Sequence, residues 1–241
     1  DAEMVIAAAD ALAKMGDPRA FEPLLAHVGD ASAAVRQSVV GALNSLGSPE
    51  MPARVLPLLS DADANVRESA VKIAGYFGYR ECADLLLERC RDEDERVRRA
   101  AVEHLPYLED ERATHALVGA LRNETPKVRA AAAAAMAQAE GPEVSPCLIE
   151  ALADEDSWVR YFSARSLGSL EVMESTEALA RLARGDKSHH VRIAAVEALG
   201  RIGGETAVRA VSPLVNSAEP DLARAAAGAL GMLKGVRAEE S

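Results

Sequence analysis

Aromatic side chains are scarce in this 241-residue chain, which holds one Trp, four Tyr and three Phe, 3% of the total. Its hydrophobic 49% is mostly Ala, Leu and Val, a composition that disfavours a sheet sandwich and favours closely approaching helices. Only three cysteines occur, Cys82, Cys90 and Cys147; the number is odd and no CxxC is formed, so neither a disulfide framework nor a zinc knuckle is indicated. A reducing, cytoplasmic setting is the expectation. Charges interrupt every apolar run well before the roughly 18 residues a membrane span needs, so no membrane partner is expected. Positive charge is in deficit: 27 Lys and Arg face 38 Asp and Glu, a net charge of -11 that sets the chain against nonspecific nucleic-acid binding. The first residue is Asp and no charged-then-apolar leader follows, which leads us to expect a piece of a longer protein.

What the chain does have is a period. Val-Arg recurs at Val35-Arg36, Val66-Arg67, Val97-Arg98, Val128-Arg129, Val159-Arg160 and Val191-Arg192, with spacings of 31, 31, 31, 31 and 32. Met4-Val5 and Leu222-Ala223 continue the register at either end without the Arg. Three residues before each Val stands Ser32, Asp63, Asp94, Thr125, Asp156 or Ser188, side chains that accept a hydrogen bond from a first-turn amide. Each Val-Arg therefore lies in the first turn of a helix. With Val as position zero, apolar residues return at four, seven, eight and eleven, the 3.6-residue period, and Gly47, Gly78 and Gly203 follow as stops. A second apolar pattern fills each interval, broken by Pro23, Pro52, Pro57, Pro146 and Pro213, which should begin, shorten or bend those first helices. The 32-residue period is expected to enlarge the turn at Arg184 to His190.

Helix pairs that cannot bury their apolar faces alone stack on one another. The predicted fold is all-α, a right-handed α-solenoid of about 7.5 two-helix repeats over residues 1–235, with repeats starting near 16, 47, 78, 109, 140, 171 and 203. Residues 1–15 read as a lone second helix, whose outer apolar side calls for an upstream segment or a second molecule, and residues 236–241 as a C-terminal tail.

The motif Asp-x-Asp-x-x-Val-Arg-x-x-Ala-x-x-Ala-Leu-Gly resembles the HEAT repeat, and its 31-residue length is similar to the phycobilisome-lyase HEAT-like subclass. The resemblance implies that the Val-Arg helices line the concave side of the solenoid. Five residues before each Val comes Asp30, Asp61, Asp92, Asn123, Asp154 or Asp186. Arg36, Arg67, Arg98, Arg129, Arg160 and Arg192 are therefore assigned to a structural ladder of contacts with these acidic turns, and not to ligand binding.

If positions zero, four, seven, eight and eleven face the core, then two, six and ten face outward. Those columns carry Tyr161 at two, Arg165 at six, and Tyr76 and Tyr107 at ten. Trp158, one residue before its Val, should overhang the same groove, with Phe162 at the seam between repeats. Three of the eight aromatics thus fall within Trp158 to Phe162. Trp, Tyr and Arg are enriched at binding hot spots. The candidate surface is Trp158, Tyr161 and Arg165 at the centre, with Arg99, Tyr107 and Tyr76 on one flank and Arg201 on the other; packing between Ala-rich neighbours is the competing explanation. The three columns hold six cations (Lys14, Lys72, Arg99, Arg165, Arg201, Arg224) against four carboxylates (Asp10, Glu68, Glu103, Glu197), a mildly basic face that suits an acidic protein or peptide better than nucleic acid.

Signals for chemistry are weak. Enzymes exist on the HEAT-like scaffold; deoxyhypusine hydroxylase is a di-iron one whose ligands come from His-Glu pairs, but His27, His104, His115, His189 and His190 are followed here by Val, Leu, Ala, His and Val, which argues against that reading. His189-His190 reads as a surface pair and His104 as a hydrogen-bonded interior histidine, so no metal and no cofactor is expected. HEAT-like alkylpurine glycosylases use a basic concave surface with aromatics and a catalytic carboxylate; Trp158, Tyr161, Arg165 and Glu103 or Glu197 superficially fit that pattern, but the net charge and the small local excess of cations argue against it. No phosphate-binding loop, nucleophile elbow or dinucleotide fingerprint is present. The expected function is a non-enzymatic scaffold that grips a partner protein or peptide, with a bilin lyase or lyase-like tetrapyrrole-binding chaperone as the alternative implied by the repeat subclass.

Overall fold

The computed structural model describes residues 1–239, with side chains through Leu233. Fifteen α-helices linked by turns and short 3-10 segments make up an all-α solenoid, with no strand among the described residues. The chain divides into two compact units, Asp1–Ala116 and Leu117–Ser241. In the first, α1 (Ala2–Met15), α3 (Ala33–Leu46), α5 (Ala64–Phe77) and α7 (Glu95–His104) are the second helices of their repeats and pack in that order. Their first-helix partners α2 (Phe21–Leu25), α4 (Met51–Val55) and α6 (Ala83–Arg89) are shorter. Helix α8 (Glu111–Asn123) carries the chain onward. In the second unit α9 (Pro126–Ala135), α11 (Ser157–Ser169), α13 (His189–Ile202) and α15 (Pro220–Glu239) pack in sequence, backed by α10 (Val144–Ala151), α12 (Thr176–Gly185) and α14 (Gly204–Val211). Helix α15 continues through residue 239, and residues 240–241 of the expected tail lie outside the described residues.

Local chemistry sets the ends of these helices. Side chains of Ser32, Asp63, Asp94 and Asp156 accept from first-turn amides, as N-caps do. Gly47 and Gly78 close α3 and α5 at φ 57° and 62°, a left-handed conformation open to glycine without steric cost. The prolines shorten the first helices as expected: Pro57 and Pro213 sit in 3-10 segments, Leu56–Ser60 and Ser212–Asn216, that follow α4 and α14.

The core is built from the repeat positions themselves. Val35, Val97, Val128, Val159 and Val191 at position zero and Leu43, Leu105, Leu167 and Leu199 at position eight are wholly buried. Position nine is often glycine because adjacent second helices meet there: a Cβ on Gly200 would lie 2.9 Å from the Ala229 Cα, and one on Gly75 would lie 2.4 Å from the His104 Cβ.

Two expectations are corrected. The turn before α13 is not enlarged, since Asp186 precedes Val191 by the same five residues that separate Asp154 from Val159. The additional residue is wound into α12. Helix α10 ends in i to i+3 bonds, Leu152 to Ile149, Ala153 to Glu150 and Asp154 to Ala151, whereas α12 keeps the α-type bond from Asp186 N–H to the Leu182 carbonyl. A 3-10 turn rises about 2.0 Å per residue and an α turn about 1.5 Å, so three residues of one span the distance of four of the other.

Position two, expected to face outward, does not do so throughout. Glu68 on α5 is only 5% exposed, and Ala130 on α9 is buried too. The Glu68 carboxylate lies among Lys72, Arg36 and Arg96 at 2.6, 3.4 and 3.8 Å.

Candidate functional site

The repeat Arg is structural in the rungs the structure resolves. Arg67 forms a two-point bond to Asp92 at 2.9 and 2.8 Å, Arg129 to Asp154 at 2.9 and 2.8 Å, and Arg160 to Asp186 at 2.7 and 2.9 Å. In Arg36, Arg67, Arg98 and Arg160, Nη1 also donates to the backbone carbonyls five and six residues upstream. The acceptor carboxylates of Asp92, Asp154 and Asp186, and likewise those of Asp30 and Asp61, accept from the amide two residues on. Turn and helix are thereby clamped together. Burial opposes ionisation of Asp92 and Asp186, yet the bonds from Arg67 and Arg160 outweigh it and hold both carboxyls below their ordinary range. Two rungs differ. Arg36 reaches Glu68 and not the Asp61 carboxylate, and Arg192 pairs with Glu219.

With those arginines committed, the aromatic stretch on α11 becomes readable. Asp156 caps the helix by accepting from the Trp158 and Val159 amides at 2.8 and 3.2 Å, which fixes the phase of every residue after it. Trp158, Tyr161, Phe162 and Arg165 recur at i, i+3, i+4 and i+7 and so share one face. Trp158 remains 52% exposed. Tyr161 stands edge-on to it, ring centres 5.4 Å apart, and the Phe162 ring lies 6.1 Å away. The Arg165 guanidinium sits 5.7 Å from the Tyr161 ring centre and 3.4 Å from its hydroxyl.

The member of this cluster that the sequence reading missed is His190. It is half-buried, its ring stacked on the indole with centres 4.5 Å apart and planes at 23°, while Ser188 Oγ lies 2.9 Å from Nδ1. The pair His189-His190 is therefore split: His189 is exposed and meets Glu219 at 2.7 Å, whereas His190 belongs to the aromatic group. A signal was available, because Trp158 and His190 each precede the repeat Val by one residue, and equivalent residues of successive repeats are neighbours. Arg96 donating to Asn65 at 3.0 Å is the same column three repeats earlier.

At the other end of the same seam Arg201 on α13 donates to Ser169 on α11 at 3.4 Å. Arg165 and Arg201 are exposed, and neither has a carboxylate partner among the described residues. The structure thus brings together Trp158, Tyr161, Arg165 and Arg201 of the expected surface. Tyr76, Arg99 and Tyr107 belong to the other unit. Tyr76 and Tyr107 are 61% and 50% exposed, as their column predicts, and Arg99 is engaged with Glu103 at 3.6 Å. His104 is half-buried, with Nδ1 2.8 Å from the Ala100 carbonyl oxygen.

Cys82 and Cys147 are buried, and burial pushes the Cys82 thiol up to about 11. Among the described residues no group of three or more His, Cys, Asp or Glu is placed to hold a metal ion. No helix among them is long and apolar enough to cross a membrane.

The family model for HEAT repeats matches residues 1–56, 51–137, 116–187 and 145–231. The chain belongs to the HEAT-repeat family. No curated protein matches this HEAT-repeat chain. Among solved structures it is similar to an engineered protein at 20% identity, covering 97% of this chain and 74% of that one, with a TM-score of 0.54. A second engineered protein is 18% identical over 78% of this chain and 98% of that one, also at 0.54. Human deoxyhypusine hydroxylase in complex with glycerol is 20% identical over 97% and 98%, with a TM-score of 0.47. The two likenesses at 0.54 concern the fold alone.

Proposed function

We propose that this HEAT-repeat protein is a non-enzymatic interaction scaffold that binds a partner protein or peptide on its second-helix face, centred on α11 and α13. The observation that carries the reading is the half-exposed Trp158, packed with Tyr161 and His190, at one end of a seam that also holds Arg165 and Arg201, neither of which has a carboxylate partner among the described residues. The chain has carboxylates to spare, so two arginines on this seam with no carboxylate partner among the described residues reflect the surface and not a shortage of acids. Aromatic and Arg anchors of this kind contribute about 2 kcal/mol or more each at protein interfaces.

Affinity capture from a cell extract, followed by titration of the identified partner, tests the reading with three proteins: wild type, Trp158→Ala and Arg165→Glu. Both variants should lose the partner while melting within a few degrees of wild type. If Trp158→Ala melts far lower yet its folded fraction binds normally, the ring cluster is packing and the proposal fails.

The 31-residue period supports a finer placement in the phycobilisome-lyase HEAT-like subclass. A bilin lyase or lyase-like chaperone would use the same surface, with Arg165 and Arg201 facing anionic propionates. Mixing the protein with phycocyanobilin and recording the visible spectrum tests it, because an unchanged spectrum removes the lyase.

A further inference from the structure

We infer that the seam between α11 and α13 selects an extended acidic peptide in which an apolar or aromatic residue and a carboxylate stand three to five residues apart. This rests on the reading of that face as the partner surface and adds the chemistry of what it takes. Trp158 and His190 mark one end of the seam, and Ser169 with Arg201 marks the other. Seven helical residues separate Trp158 from Arg165 and eleven separate it from Ser169, roughly 10 and 16 Å at 1.5 Å per residue. An extended chain covers about 3.3 to 3.6 Å per residue, so an apolar side chain on the indole places a residue three to five positions along beside the two guanidiniums.

The charge of the seam selects the sign. Positions minus one, two, three, six and ten of α11 and α13 carry Arg165 and Arg201 and a single carboxylate, Glu197, which is exposed and has no partner among the described residues. Arg165 is already held against the Tyr161 ring and hydroxyl and Arg201 against Ser169, so part of the ordering a bound carboxylate would require is done beforehand. Single-stranded nucleic acid, which aromatic and Arg surfaces also attract, is disfavoured by the net charge of -11.

The probe is a phage-displayed library of random dodecapeptides selected on the intact chain, with enriched sequences resynthesised and followed by the fluorescence of the single Trp. Enriched peptides should pair an apolar residue with Asp or Glu at the stated spacing. Replacing that acid by its amide, or making Arg165→Ala with Arg201→Ala, should weaken binding about tenfold, as loss of a charged hydrogen bond does. Glu197→Gln should tighten it, a change that misfolding cannot imitate. Peptides that depend on Trp158 but carry no acid and ignore both arginines overturn the inference and leave the surface standing. If no peptide is enriched, or none responds to Trp158→Ala, the surface itself is lost. Displacement of the peptides by oligo(dT) would overturn the inference in favour of nucleic acid.

Discussion

Gly168 on α11 lies so close to Ala198 on α13 that a methyl group placed on the glycine would sit 2.7 Å from the Ala198 Cα and 2.8 Å from its Cβ. The obstacle is backbone, which cannot rotate away. Alanine is the better helix former by about 1 kcal/mol, yet overpacking a close approach costs about 1 to 3 kcal/mol. Gly168→Ala should therefore lower stability by a measurable part of that, read as a drop in the urea midpoint, and Gly168→Val should lower it further.

The Arg67–Asp92 rung is almost fully buried, with side chains 5% and 2% exposed. Asp92→Asn takes the two-point carboxylate partner from buried Arg67 and leaves it only the exposed Glu93 carboxylate at 3.2 Å, which should cost about 3 kcal/mol in urea unfolding. Arg67→Met combined with Asp92→Leu should recover part of that loss, because it removes the two charges of the rung together, while Arg89, 3.1 Å from the Asp92 carboxylate, keeps Glu88 as its remaining partner. A double variant no more stable than Asp92→Asn would mean that the turn geometry set by the Asp92 carboxylate, and not charge pairing, is what the rung contributes.

Acid should unfold the protein through the same groups. The Asp92 and Asp186 carboxyls are held below their ordinary value of 3.8 in the folded chain. Stability from a depressed carboxyl is fully present above the unfolded value and is lost as pH falls through the folded one. Urea midpoints should hold steady from pH 7 to 5 and fall steeply below about 4. A flat profile down to pH 3 would contradict the ladder.

Ser163 occupies position four of α11, where α9 and α13 carry Ala132 and Ala195. Its hydroxyl is buried and has no hydrogen-bond partner among the described residues. A buried, unsatisfied polar atom costs about 1 to 3 kcal/mol, so Ser163→Ala should raise the melting temperature. The variant also tests whether α11 is packed as tightly as its neighbours.

How much of this was readable beforehand follows from what a period encodes. Recurrence every 31 residues identified the family, the second helices, the caps at Asp63, Asp94 and Asp156, and the arginines that bind turns. It also put Trp158, Tyr161 and Arg165 on one face. His190 is not legible from its chain neighbour His189, because its ring partner lies 32 residues back on the preceding second helix. Ser188, expected to cap α13, makes no such bond, since its hydroxyl lies against His190. Glu68 escaped for a related reason: a helical wheel knows the angle of a side chain but not which neighbour covers it.

The exchange of three 3-10 residues for four α residues at the end of α12 gives the repeat a tolerance for length. A codon can be gained or lost in a first helix and the change taken up by rewinding one turn, so that the clasp between Arg160 and Asp186 closes as it does between Arg129 and Asp154. Drift in length is thus uncoupled from drift in register, and the rings and arginines on the two sides of that turn keep their alignment when the spacer between them changes size.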